Sequence, residues 1–108
     1  MMFEKRPQSR NVFWIEQQLF AAHGTDQRRI LFKLLLRELD SFTKNPETLQ
    51  LLDNLVSQCR TRVDRQREII AEDERAGRDT KESKFLLVTM LTTLALYVER
   101  YARISMRC

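Results

Sequence analysis

"QLLDNLVSQCRTRVDRQREII", residues 50–70, sets four arginines into eight positions in the middle of an apolar pattern. Taken from one residue upstream, that pattern is Leu49, Leu52, Val56, Cys59, Val63, Gln66 and Ile70. The steps alternate three and four over three heptads, which holds these side chains on one side of a helix and marks a seam against another helix. On a helical wheel, Arg60 and Arg67 fall on one flank of the seam, and Arg62 and Arg65 on the other. Long cations beside a seam cover its apolar edges and pair with nearby acids, here Asp64, Glu68 and Glu72. The segment therefore reads as architecture rather than as one anion-binding stripe.

A matching seam lies downstream. Leu87, Leu91, Leu94, Val98, Tyr101, Ser105 and Cys108 repeat at 4-3-4-3-4-3 spacing. Between the two patterns, "EDERAGRD" (72–79) contains Gly77, which predicts the turn of an antiparallel hairpin. Asp79 and Glu82 have the spacing of a capping box for the fourth helix. Before the third helix, "KNPET" (44–48) supplies Asn45 as an N-cap and Pro46 at the first helical position, where no amide donor is needed.

Two shorter helices precede the hairpin. Val12, Ile15, Leu19 and Ala22 share one face, and Gly24 is expected to cap that helix at its C-terminal end. Thr25 and Asp26 open the next, with Phe32, Leu35, Leu39 and Phe42 as its stripe, widened by Leu31, Leu34 and Leu36. The predicted fold class is all-α, a bundle of about four helices built on the long hairpin of helices three and four. Residues 1–8 are expected to be a flexible tail, and 9–108 a single helical domain.

Composition agrees with this reading. Two glycines and two prolines in 108 residues leave few turns, and 43% hydrophobic content is enough for a core. A single chain of this size has a modest core, so self-association is expected. The net charge of +4 favours anionic partners weakly, because signs are mixed along the chain. The longest uncharged run, 85–98, is 14 residues, against about 20 for a bilayer span. No membrane span and a cytoplasmic location are expected.

Catalytic chemistry has little to stand on. His23 is the only histidine, near a helix end where it serves the helix dipole. Cys59 and Cys108 form no ligand cluster, and "EDE" (72–74) reads as solvated acid, so no metal or other cofactor is expected. No phosphate loop, nucleophile elbow or zinc-finger pattern is present. A faint helix-turn-helix around Gly24 fails because the second helix is too apolar to lie in a groove.

The candidate contacts are basic rows. Arg29, Lys33 and Arg37 recur at i, i+4 and i+8 on the side of the second helix away from much of its leucine surface. Arg100, Arg103 and Arg107 form another row, where cations also complement the helix C-terminus. Phe85, Thr89, Thr92 and Leu96 lie opposite the fourth helix's leucine stripe and carry no charge, which nominates them for self-association, with burial under the first helix of the same chain as the alternative. Trp14 lies off its helix's main stripe, a candidate exposed anchor. The sequence thus points to a non-enzymatic regulatory or adaptor protein that binds a protein partner as a homodimer. The alternative is a dimer that lays its basic faces on a nucleic-acid phosphate backbone.

Overall fold

The computed structural model describes residues 9–42 and 46–106, with four helices in the order α1 (Ser9–Phe20), α2 (Thr25–Asp40), α3 (Pro46–Arg75) and α4 (Lys81–Met106). The tail 1–8, the expected cap Asn45 and the terminal Arg107 and Cys108 lie outside the described residues. The molecule is elongated, 59 × 25 × 20 Å. α3 and α4 share the largest interface and form the long hairpin. α1 and α2 form a second, shorter hairpin laid against it.

α3 packs as its spacing requires. Leu52, Val56, Cys59, Val63, Gln66 and Ile70 are all buried, together with Thr48 and Leu55. Each fully buried leucine contributes about 1.5–3 kcal/mol relative to exposure. Gln66 is the one amide in the seam. Its Nε2 donates to the Ser83 carbonyl at 3.0 Å, in the first turn of α4, and so fixes the register of the hairpin. Pro46 stands first in α3, as expected.

The turn after α3 is a Schellman motif. Gly77 has φ +73°, its amide donates to the Glu74 carbonyl, and Arg78 N–H donates to the Asp73 carbonyl at 2.8 Å. The N-terminus of α4 differs in detail from the expected capping box. Thr80 precedes the first helical residue, and Asp79 Oδ1 accepts instead from the Lys81 amide at 3.0 Å.

Gly24 breaks the first two helices, but in another role. It is the N-cap of α2, with extended backbone at φ −113° and ψ 149°, rather than a left-handed C-cap of α1. Val12, Ile15 and Leu19 of α1, and Ala22 in the turn after it, are buried in one cluster with Leu31, Leu35 and Leu39 of α2.

α4 is rotated relative to its predicted seam. Its buried residues are Thr89, Met90, Thr93 and Tyr97, while Leu87, Leu91 and Leu94 are only half-buried and Val98 and Tyr101 are exposed. Polar residues can occupy the buried side because the helix satisfies them. Thr89 Oγ1 donates to the Phe85 carbonyl at 3.1 Å, and Thr93 Oγ1 to the Thr89 carbonyl at 2.8 Å. The second hairpin takes the remaining side. Arg28 of α2 stacks on Phe85 at 4.4 Å and donates to Thr89 Oγ1 at 3.2 Å. At the far end of α2, Asp40 pairs with Arg100 at 2.5 Å. α2 therefore runs parallel to α4 and covers much of the face assigned to self-association.

Candidate interaction surfaces

The centre of the molecule is a polar cluster where α1 crosses the hairpin. Glu16 is 3% exposed. Its Oε2 accepts from the Tyr97 hydroxyl at 2.6 Å, and its Oε1 pairs with Arg62. The Arg62 guanidinium also lies over the rings of Phe13 and Phe20, at 6.0 and 5.8 Å from their centroids. Cys59 sits beside the cluster and donates to the Met90 carbonyl at 3.5 Å. Burial, then the Glu16 carboxylate, pushes the Cys59 thiol up to about 11, against the pull of Arg62. Burial first, and the same carboxylate second, push the Tyr97 phenol far above its usual range. Both groups stay protonated as buried donors, Cys59 within the long hairpin and Tyr97 as a clamp from α4 to α1.

The predicted contact residues separate into three groups. Arg29, Lys33 and Arg37 are exposed along α2 and have no ion pair among the described residues. Arg100 and Arg103 are committed within the chain, to Asp40 and to Glu99, each at 2.5 Å. Arg107 lies outside the described residues. The second basic row therefore leaves no unpaired cation among its described members.

The self-association set is also divided. Thr89 is buried within the chain, Phe85 lies beneath Arg28, and Leu96 packs against the core. Thr92 alone is exposed, and its hydroxyl donates to the Val88 carbonyl at 2.9 Å. The open apolar side of α4 is instead formed by Leu87, Val88, Leu91, Ala95, Val98 and Tyr101. Val88 is 52% and Val98 41% exposed. By helical angle most of this strip lies opposite the residues that α2 covers. α4 also meets the length and composition of a membrane-spanning helix: its most apolar 18-residue window has a mean hydropathy of 1.3, and 22% of that window is buried. The 14-residue count stopped at the first charge, whereas this window admits up to two.

Grooves on the surface include two beside α1 and α2. One, of about 530 Å³, lies between the α1–α2 turn and the start of α4, with Phe20, His23, Lys81 and Phe85 in its wall. The other, of about 450 Å³, lies between α1 and α2 and is lined by Asn11, Trp14, Ile15, Leu34, Arg37 and Glu38. Among the described residues, no three His, Cys, Asp or Glu side chains are grouped to hold a metal ion.

Comparison with protein-family models, curated proteins and solved structures found no match. The surfaces themselves carry the functional argument. Sequence reasoning missed Glu16 because it stands next to Ile15 in the α1 stripe and reads as an ordinary flanking acid. The available signal was Tyr97, a phenol in the middle of an apolar helix, which needs a partner when buried.

Proposed function

We propose that the protein is a non-enzymatic helical adaptor or regulator that acts by protein–protein interaction as a homodimer. The observation that carries this reading is the open apolar strip of α4, from Leu87 to Tyr101, on the side of the long hairpin away from α2. The fourteen helical steps from Leu87 to Tyr101 make a strip about 21 Å long. Two such strips crossing about a twofold axis give each copy a self-complementary patch without further surface change. The neighbouring helix argues against burial of α4 in lipid. α3 exposes Asp53, Arg60, Asp64, Arg65, Arg67, Glu68 and Glu72, which would be costly to carry into hydrocarbon beside α4.

Size-exclusion chromatography with light scattering tests the reading. The wild-type chain is expected to run as a dimer at micromolar concentration. Leu91→Glu with Val98→Glu is expected to run as a monomer with its helical circular dichroism retained, since Val98 is exposed and Leu91 is only partly buried. A wild-type protein that stays monomeric at high micromolar concentration removes the self-association part of the proposal.

A second reading rests on Arg29, Lys33 and Arg37, exposed and without ion pairs among the described residues: contact with a nucleic-acid phosphate backbone. It predicts binding that weakens steeply with salt. With Arg100 and Arg103 paired internally, that reading has three aligned cations per copy to work with.

A further inference from the structure

The basic row of α2 does not stand alone. Beside it runs an apolar line formed by Ile30 and Leu34, 60% and 39% exposed. Across the α1–α2 groove stands Trp14, 56% exposed. Arg37 belongs to both features: it ends the row and lines the groove. Glu38, on the same helix, accepts from Asn11 Nδ2 of α1 at 3.3 Å across the groove. The hairpin thus presents an apolar channel with a cationic rail along one edge.

We infer that the α1–α2 groove, lined by Trp14, Ile15, Leu34 and Arg37, docks an acidic amphipathic helix of a partner protein, with the exposed Ile30 extending its apolar edge and Arg29, Lys33 and Arg37 as its rail. Charge complementarity selects the occupant. The rail runs eight helical steps from Arg29 to Arg37, about 12 Å, with a cation at each turn. A helix laid alongside matches it with carboxylates at i, i+4 and i+8, while its own apolar stripe enters the channel. A phosphate backbone would meet the cations but leave Ile30, Leu34 and Trp14 in water. An anionic bilayer, being broad and flat, would meet the cations but not enter a concave channel between two helices. The helix satisfies all of these groups at once. The docking surface rests on the protein-interaction reading above, but it is separate from the α4 strip.

Trp14 is the chain's single tryptophan and reports directly on the groove. An indole moved from water into an apolar contact shifts its emission to the blue. The probe is a synthetic peptide of about 18 residues, five turns of helix, built from Leu, Ala and Glu with one leucine stripe and one flanking glutamate row. Titration of the full chain is expected to give a saturable blue shift. The same peptide with lysine in place of glutamate is expected to bind at least roughly tenfold more weakly, a difference of about 1.4 kcal/mol. Arg29→Glu, Lys33→Glu and Arg37→Glu together should cause a similar loss for the acidic peptide. All three positions are exposed, so unchanged circular dichroism will show that the variant folds.

Phosphatidylcholine–phosphatidylglycerol vesicles and a short DNA duplex form the competing arms. The inference is overturned if the acidic peptide gives no shift, or if the lysine peptide binds equally well. It is also overturned if vesicles or DNA shift the emission through the same three cations while the peptide does not. A monomeric result in light scattering would remove the α4 dimer and leave the Trp14 signal standing; loss of the signal in a dimeric protein would remove only the groove.

Discussion

The Tyr97 hydroxyl reaches across the molecule to Oε2 of Glu16, 81 residues away in sequence, at 2.6 Å. With Arg62 on the other carboxylate oxygen, this contact ties α1 to both helices of the long hairpin. Removing one partner from a buried ion pair is costly because the other charge is left without compensation. Arg62 is 35% exposed and can rehydrate, so the low end of the usual range applies. Glu16→Ala is expected to cost about 3 kcal/mol, and Tyr97→Phe about 1–2 kcal/mol. Urea unfolding should show both as lower midpoints at unchanged slope, and the double variant should lose less than the sum. A Glu16→Ala protein as stable as wild type would contradict the clamp.

Alkaline pH tests the same cluster. Cys59 is raised from 9.0 to about 11 in the folded chain. A raised folded value means that the folded state keeps its proton after the unfolded chain has lost it. Stability from this group is therefore complete below about pH 9 and is lost as pH rises through 11. The total loss is roughly 2–3 kcal/mol. Tyr97 acts in the same direction from its ordinary phenol range upward. With Cys108→Ser as background, Cys59→Ala should flatten the first part of this decline between pH 8 and about pH 11. An equally steep decline in that variant would remove Cys59 from the account.

The two glycines should respond differently. Gly77 holds φ +73°, so Gly77→Ala forces an L side chain into the left-handed region at about 1–2 kcal/mol. Gly24 sits in extended backbone, has no side-chain cap, and nothing lies within 4 Å of an added Cβ. Gly24→Ser can supply the missing cap, so a gain of a few tenths of a kcal/mol is expected. Thermal melts of the two variants read the contrast; equal and opposite-to-expected shifts would mean that the turns are built otherwise.

The Asp40–Arg100 pair fastens the far end of α2 to α4. Arg100 is 16% exposed and Asp40 55%, so solvent screens one side of the pair. Asp40→Ala is expected to cost about 1 kcal/mol, and Glu99→Ala, which removes the exposed Arg103 pair, less than about half of that. Hydrogen exchange should show the last turn of α2 loosened only in the former. Identical protection in both variants would deny the pair a fastening role.

Much of the fold was legible in the chain. Leu52 to Ile70 on α3 were read correctly because a helix packed on one dominant partner must place its apolar residues at seam spacing. The breaks at Gly24, Pro46 and Gly77 were legible because backbone geometry limits what those residues can do. The candidate sites were less so. Arg29, Lys33 and Arg37 stayed on the surface as read, but Arg100 and Arg103 found acids that no spacing rule joins to them. The exposure of Trp14 was legible; its groove was not, because Leu34 and Arg37 come from another helix.

α4 marks the boundary between what the chain alone determined and what the tertiary structure decided. Sequence set its length, its apolar character and its place in the hairpin. It did not set the rotation of the helix. A helix apolar on several sides offers several packing faces of similar hydrophobic value, and spacing alone cannot rank them. The ranking came from groups distant in sequence: Glu16 drew in Tyr97, Arg28 took Phe85 and Thr89, and Asp40 took Arg100. Those contacts turned Thr89, Thr93 and Tyr97 inward and left Leu87, Leu91, Val98 and Tyr101 as the side still open to a partner.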